Sequence, residues 1–489
     1  MKFLKTLLPL LFISLLTTGC FTDTDDNPVS TNEINDFVWK GMNSWYNWQS
    51  QVSDLSDTKD DNSSNYNSYL NSFNDPLDFF NSLIYQPQVV DRFSWFVEDY
   101  IQQQQAFQGI SKSHGIKYQS VEINSNGDII IYVRYVSDNS PASNANIKRG
   151  DIINAIDGIT INSSNFNEVV SKLSNETITL SFVSENGGTL TFIEDKTISA
   201  TVLSENPVYL TKVFNDINGK KVGYLVYNGF RTSYNDELND AFSIFKNENI
   251  DELILDLRLN GGGSVATSAY LASMIYSNAG EEKFADLKFN SKHTNEDGYY
   301  TFQNTLNVFD SNDKNIGEQP INRLTTLNKL YVLTSGSTAS ASEMVINGLK
   351  PYIPVKVIGT TTYGKNVGSI TLYDSPSTDF QDQASANPNH TYAMQPIVFQ
   401  IFNKNGESDY TQGFVPDIEV KEYEYWNAIL PFGDENEVVL KAALDNIRGF
   451  TTKITPAKKA SFAKEVELTI PNKKFEHDMY IEKDYFQKE

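Results

Sequence analysis

Residues 251–278, DELILDLRLNGGGSVATSAYLASMIYSN, decide the fold. The run Glu252 to Leu259 is built on the apolar stretch Leu253-Ile254-Leu255, continued by Leu257 and Leu259 between the charged Asp256 and Arg258, and reads as a buried-type strand. It ends in Gly261-Gly262-Gly263, after which small and apolar residues continue at helical spacing to Tyr276. A strand, a glycine turn and a helix form the repeating unit of a parallel α/β sheet. The turn aims backbone N–H groups into the space beyond the strand's carboxyl end, where such sheets hold ligands. No Gly-Lys-Ser/Thr follows, so this is not a phosphate loop. The glycines suit a site where a backbone donor approaches a reacting carbonyl. Asp256 and Arg258 read as an ion pair that fixes the turn.

The same alternation extends on both sides. KVGYLVYNGF (221–230), KLYVLTS (329–335) and VKVIGT (355–360) read as strands. SYNDELNDAFSIFKNENI (233–250) and ASEMVINGLKPY (341–352) read as helices, and YWNAILPFGDENEVVLKAALDNIRG (425–449) holds another. The pattern predicts an α/β core over 201–450, in which 279–326 is a long excursion without periodicity. Residues 106–200 change to period 2, with hairpin turns at Asn126-Gly127 and Asn186-Gly187-Gly188. Residues 34–105 are aromatic-rich and helical, with Trp45, Trp48 and Val52 about a turn apart. Within them 57–74 reads as a polar loop, and 75–85 and 91–104 as short helices. The tail, 451–489, is Lys-rich, weakly patterned and reads as an extension.

The composition bounds the function. The chain has 489 residues, 39% of them hydrophobic, which suits about three domains with real cores. A net charge of −23 disfavours a nucleic-acid partner. Cys20 is the only cysteine, so the folded body has no disulfide framework and no thiol catalysis; four scattered histidines give no HExxH pair. No metal and no cofactor is expected. Residues 1–20 pair Lys2 and Lys5 with an apolar run, Leu7 to Leu16, too short to span a bilayer. They end in Thr-Thr-Gly-Cys, which resembles a bacterial lipoprotein lipobox with Thr17 where Leu is usual. The expectation is a signal peptide over 1–20, lipidation at Cys20, a flexible tether over 21–33 and anchorage in the bacterial cell envelope, at the outer membrane or cell surface.

A nucleophile is sought at strand-to-helix turns. Thr334-Ser335-Gly336-Ser337-Thr338-Ala339-Ser340-Ala341-Ser342-Glu343 joins a strand to a helix, with Ser340 at the turn. Ser340 and Glu343 also fit an S-x-x-E capping box. A serine so placed can act as a nucleophile, with the next backbone N–H donating to the oxyanion. His293 and His390 lie in polar, loop-like stretches and read as solvated surface. Lys365 follows the strand VKVIGT in a glycine-containing turn, 365 − 340 = 25 residues after Ser340. Burial can lower a lysine from about 10.4 toward 7–8, where it serves as a base.

Two resemblances follow from these residues. Pro141-Ala142, Ala145, Ile147, Arg149-Gly150-Asp151, Ile153 and Asp157-Gly158 resemble a PDZ domain, with Asn146 where Gly is usual. That likeness implies strand-addition binding of a peptide tail, with the carboxylate-binding loop best matched by His114-Gly115-Ile116, hence Gly115 and Ile116. TASASE, the Gly-Lys of TYGKN, DLRLNGGG and Gly413-Phe414-Val415-Pro416-Asp417 resemble the carboxyl-terminal processing, or tail-specific, serine peptidases. The resemblance runs from about residue 34 to 450. It implies a crotonase/ClpP-like peptidase core with a PDZ-like β domain (106–200) and an N-terminal helical cap (34–105). It further implies Ser340 as nucleophile, Lys365 as general base, and backbone amides of Ala341 and of Gly262 or Gly263 as the oxyanion hole. Ser369 stands where many members have a Gln that orients the base, and is the candidate for that role. The expected function is a serine endopeptidase acting near the carboxyl termini of envelope or secreted proteins. The alternatives are a non-catalytic PDZ-containing peptide-binding surface lipoprotein and, less favoured, a crotonase-type enzyme acting on acyl-CoA.

Overall fold

The computed structural model describes residues 31–310, 314–327, 329–450, 459–467, 477–481 and 487–488. Cys20, the signal peptide and most of the tether lie outside the described residues.

The strand Glu252–Asp256 lies inside a six-stranded sheet, buried at every position. It runs parallel to Lys220–Tyr227 on one side and to Leu330–Thr334 on the other. Val355–Gly359 and Ile418–Glu419 continue the sheet in parallel, and Val208–Ile217 closes it as an antiparallel edge. Helices Asn235–Glu248, Val265–Ile275 and Ala341–Leu349 contribute to the main core on one face. Helix Val438–Ile447 packs on the other, against Tyr224, Ile254 and Leu333. The α/β core follows the predicted alternation, because each strand's apolar residues need cover on both faces.

A second sheet stands beside the first. Its seven strands, in order, are Gly263–Ser264, Met479–Tyr480, Val367–Ser369, Ile397–Phe402, Lys283–Phe289, Gly298–Thr301 and Gln487–Lys488. Two expectations are corrected here. The stretch 279–326 is not a plain excursion: it supplies strands 283–289 and 298–301 to this sheet, and a hairpin of Thr305–Phe309 with Asn315–Pro320. The tail is not a mere extension, because Met479–Tyr480 is an inner strand of the sheet, paired with both Gly263–Ser264 and Ser369.

The β domain is a seven-stranded sheet with short helices Pro141–Asn144 and Phe166–Ser171, around a core that includes Ile131, Ile153, Val169 and Leu180. Hairpin turns fall where the glycines predicted them: Ile116–Glu122 pairs with Ile129–Val136, and Thr177–Asn186 with Thr189–Ser199. Lys464–Val466 adds an antiparallel strand to the Ile116–Glu122 edge.

The N-terminal region begins with helix Thr31–Trp45, whose Trp39, Trp45 and neighbouring Tyr46 are buried in the same core cluster as the central helices. The 57–74 stretch, expected as loop, contains helix Ser63–Leu70, whose Asn62 cap accepts the Asn65 N–H. Asp75 and Pro76 start helix Pro76–Ser82 as expected, with Asp75 accepting from Leu77. The expected helix over 91–104 divides instead. Trp95–Val97 pairs as a strand with Ala393–Gln395, and the helix starts only at Tyr100, after Asp99 caps Ile101 and Gln102. Period 3.6 and period 2 are indistinguishable over so short an apolar run.

Candidate active site

Ser340 sits between strand Leu330–Thr334 and helix Ala341–Leu349, fully buried, with φ 64° and ψ −119°. A side chain in this left-handed region is strained, a feature that clusters at functional sites. The surroundings hold it there. Ala339 N–H donates to the Asn260 carbonyl at 3.2 Å, and Ser342 Oγ to the same carbonyl at 3.1 Å. Thr338 Oγ1 donates to the Leu257 carbonyl at 2.7 Å. The serine loop is thus stitched to the glycine turn.

Glu343 is more than a helix cap. Its Oε2 accepts the N–H of Ser340 at 2.9 Å and of Lys365 at 2.8 Å. Its Oε1 accepts the N–H of Gly364 at 2.8 Å and the Thr362 hydroxyl at 2.5 Å. Burial pushes its pKa up and these four donors pull it back. The sequence pattern revealed only the cap half of this role.

Lys365 is buried, with Nζ 5.0 Å from the centre of the Phe93 ring. Burial brings its pKa down to about 8, against the opposing charges of Asp478, Asp91 and Glu343. Gly364, with φ +92°, lets the loop pass close to Thr411, whose carbonyl would stand 2.3 Å from an added Cβ. The Gly413–Asp417 turn abuts this loop: Phe414 N–H donates to Thr362 Oγ1 at 2.7 Å.

The segment 477–481 completes the site, and sequence reasoning missed it. Ser340 Oγ and Lys365 Nζ do not bond to each other. Lys365 Nζ donates to the His477 carbonyl at 2.6 Å, and Ser340 Oγ to the Asp478 carbonyl at 3.0 Å. The Gly263 N–H donates to that same Asp478 carbonyl at 2.7 Å. The Gly262 N–H, by contrast, is taken by Asn260 Oδ1 at 2.9 Å. Of the two candidate glycines, Gly263 therefore has the amide aimed at a carbonyl beside Ser340. Gly262 matters through its lack of a side chain: with φ +118°, an added Cβ would lie 2.6 Å from Ser340 Cβ. Ala341 opens the helix, where the first amides have no intrahelical acceptor.

Ser369 does not bond to Lys365, contrary to the expectation that it orients the base. Its hydroxyl donates to the Met479 carbonyl at 3.0 Å and accepts from Gln395 Nε2 at 2.9 Å. Gln395, on a strand distant in sequence, gave no signal of its own.

The PDZ loop reaches the same space. Gly115 and Ile116 line a cavity of about 360 Å³ shared with Gly261, Gly262, Gly263, Asp478 and Tyr480. The Gly115 N–H is held by Ser113 Oγ at 3.0 Å, and at its φ of +77° an added Cβ would lie 2.2 Å from Ser140 Cβ, so the position needs glycine. His114 is buried, its pKa lowered by burial. Lys117 Nζ reaches across to the Leu259 carbonyl at 2.9 Å.

The expected Asp256–Arg258 pair forms at 2.7 Å and belongs to a larger buried network. Arg258 also meets Glu422 at 2.8 Å and Glu437 at 2.9 Å, while Arg149 and Arg134 of the β domain join Glu422. The network therefore locks the β domain to the strand that carries the glycine turn. The two loop histidines are corrected: His293 stacks on Trp45 at 3.6 Å, and His390 Nε2 lies 3.0 Å from Asp374. Polar flanks concealed aromatic and acidic partners distant in sequence. Among the described residues, no group of three or more His, Cys, Asp or Glu is placed to hold a metal, and no helix is long and apolar enough to cross a membrane.

Comparison with known proteins agrees with this layout. Residues 221–420 match Peptidase family S41, residues 33–95 the Peptidase S41 N-terminal domain, and residues 111–186 a PDZ domain. The carboxyl-terminal-processing protease of Picosynechococcus sp. is 24% identical over 319 residues, covering 62% of this chain and 70% of that protein. A protein of Staphylococcus aureus (strain N315), by name a CtpA-like serine protease, is 24% identical over 290 residues, 59% of this chain. The match spans half of that relative's length, 50%. A solved structure from Bacteroides fragilis NCTC 9343, given as an S41 protease, superposes with a TM-score of 0.64 at 26% identity, covering 85% of this chain and 98% of that one.

Proposed function

We propose that this chain, a serine-type peptidase of family S41 with a PDZ domain and an N-terminal helical region, cleaves proteins near their carboxyl termini by a Ser340–Lys365 dyad. One observation carries this reading. A peptide carbonyl, that of Asp478, lies between Ser340 Oγ and the Gly263 N–H, next to a buried lysine whose pKa is near 8.

The mechanism follows from these groups. Neutral Lys365 Nζ takes the Ser340 proton as Oγ attacks the scissile carbonyl. The Gly263 and Ala341 amides receive the developing oxyanion. Lys365 then returns the proton to the leaving amine. Water hydrolyses the ester by the same route in reverse order. The Ser369 hydroxyl, itself held by Gln395 Nε2, donates to the Met479 carbonyl and in the same way would hold the next carbonyl of a substrate strand, so registering the scissile bond. The PDZ loop at Gly115 and Ile116 borders the same cavity, which suits a substrate's carboxyl-terminal tail lying between the PDZ domain and the nucleophile. Substrates are protein or peptide chains with free carboxyl termini; a lipid anchor at Cys20 holds the enzyme in the bacterial cell envelope, at the outer membrane or cell surface.

A labelled fluorophosphonate probe and casein digestion, each with Ser340→Ala as control, test the reading. Labelling and cleavage that vanish in Ser340→Ala support it. Peptide binding without labelling or cleavage by the native chain would favour the non-catalytic alternative.

A further inference from the structure

The segment 477–481 lies in the site as a bound peptide would, and each residue has a built partner. The His477 ring stacks on Tyr363 at 4.3 Å. Asp478 is buried, and its carboxyl hydrogen-bonds with the Trp95 side chain. Met479 is fully buried, and Tyr480 stacks on Phe107 at 4.0 Å. The backbone is read as closely as the side chains. Three successive carbonyls, 477, 478 and 479, accept from Lys365 Nζ, from Ser340 Oγ with Gly263 N–H, and from Ser369 Oγ. The strand Met479–Tyr480 pairs with Gly263–Ser264 and with Ser369, so it joins the seven-stranded sheet by strand addition beside the nucleophile. A structural tail needs none of these contacts to end at the nucleophile, the base and the oxyanion donor together.

We infer that the chain's own carboxyl-terminal segment is an intramolecular substrate, and that Ser340 cleaves the Asp478–Met479 bond. The inference rests on the peptidase reading above. Ser340 Oγ adds to the Asp478 carbonyl carbon, and its proton passes to Lys365 Nζ, which must first turn from the His477 carbonyl. The Asp478–Met479 C–N bond breaks, and Lys365 gives the proton to the Met479 nitrogen. The peptide 479–489 leaves as an amine, and Asp478 remains as an ester on Ser340. One water then adds to the ester, its proton passing through Lys365 to Ser340 Oγ, which leaves a new terminal carboxylate on Asp478. The uncut segment fills the cleft, so its release precedes efficient cleavage of other proteins.

The test is the intact mass of the purified full chain, with casein digestion measured on the same sample. The expected result is loss of residues 479–489 in the native chain and full retention in Ser340→Ala. Ser340→Ala mixed with native enzyme stays whole, because each tail is held in its own cleft. Met479→Pro, which removes the leaving N–H and fits poorly at a scissile bond, keeps the tail at least tenfold longer than the native chain. A native chain that digests casein yet keeps residues 479–489 overturns the inference and leaves the peptidase reading standing. A chain that does neither overturns both. Trimming of Ser340→Ala by added native enzyme overturns the intramolecular claim.

Discussion

The Glu343 carboxylate accepts the backbone N–H of Lys365 at 2.8 Å, and with the same oxygen that of Ser340 at 2.9 Å. One buried side chain thereby sets the distance between the loop of the proposed nucleophile and the loop of the proposed base. Every group around it is a donor, so an acceptor-only carboxylate fits and an amide does not. Glu343→Gln turns an N–H₂ toward at least one N–H. We expect kcat to fall by about 10²-fold with KM little changed, since misplacement of reacting groups by about an ångström costs that much. Glu343→Ala should lose as much activity and also lower Tm. Native kcat in folded Glu343→Gln would remove this positioning role.

Activity should follow the ionisation of Lys365. Its pKa is lowered to about 8 by burial, and only the neutral amine accepts the serine proton. Cleavage should therefore rise with pH along one limb centred near 8 and level off above it. The same depression has a stability consequence of fixed sign. Between about 8 and the ordinary lysine value of about 10.4 the unfolded chain binds the extra proton, so stability rises with pH across that window. At pH 7 the buried charge is a net cost. Lys365→Met should raise Tm at pH 7 while abolishing cleavage, by scanning calorimetry beside a peptide assay.

The fold was legible in the sequence wherever a period ran for long enough. The strand Glu252–Asp256, the glycine turn and the helix from Val265 were each readable from local pattern, as were the hairpins at Asn126-Gly127 and Asn186-Gly187-Gly188. Ser340 was a candidate because strand-to-helix turns concentrate chemistry, and Lys365 because it follows a strand in a glycine-containing turn and matches the resemblance to the serine peptidases. What could not be read was pairing at a distance. Met479–Tyr480 is two residues of strand in a charged tail, and its partners are more than a hundred residues away. Gln395 on Ser369 and Trp45 on His293 are likewise tertiary contacts with no local periodicity. Trp95–Val97 was hidden by brevity, since three apolar residues fit a helix as well as a strand.

The Arg–carboxylate network predicts acid sensitivity. Burial alone would raise the pKa of Glu422, but Arg149, Arg258 and Arg134 hold it far below the usual carboxylate range. A depressed folded-state value means the stabilisation is complete above the unfolded value of about 4.3 and is lost as pH falls below it toward the folded value. Glu422→Ala leaves buried guanidinium groups short of a partner and should cost about 3–5 kcal/mol, measured by urea unfolding. Loss of less than about 1 kcal/mol would show that the β domain is held mainly by other contacts.

Anchoring is testable apart from chemistry. In a bacterial host, Cys20→Ser should move the protein from the membrane to the soluble fraction, since each buried acyl CH₂ contributes about 0.8 kcal/mol of membrane affinity. Unchanged fractionation would remove the lipoprotein assignment and leave the peptidase untouched.

The most direct test of the dyad compares Lys365→Arg with Ser340→Ala in one peptide-cleavage assay, with thermal melts confirming that both fold. Arginine keeps the positive charge but does not deprotonate in proteins, so it removes the base alone. The account predicts that Lys365→Arg is nearly as inactive as Ser340→Ala. Substantial cleavage by folded Lys365→Arg would contradict it and return Lys365 to the role of a buried structural cation.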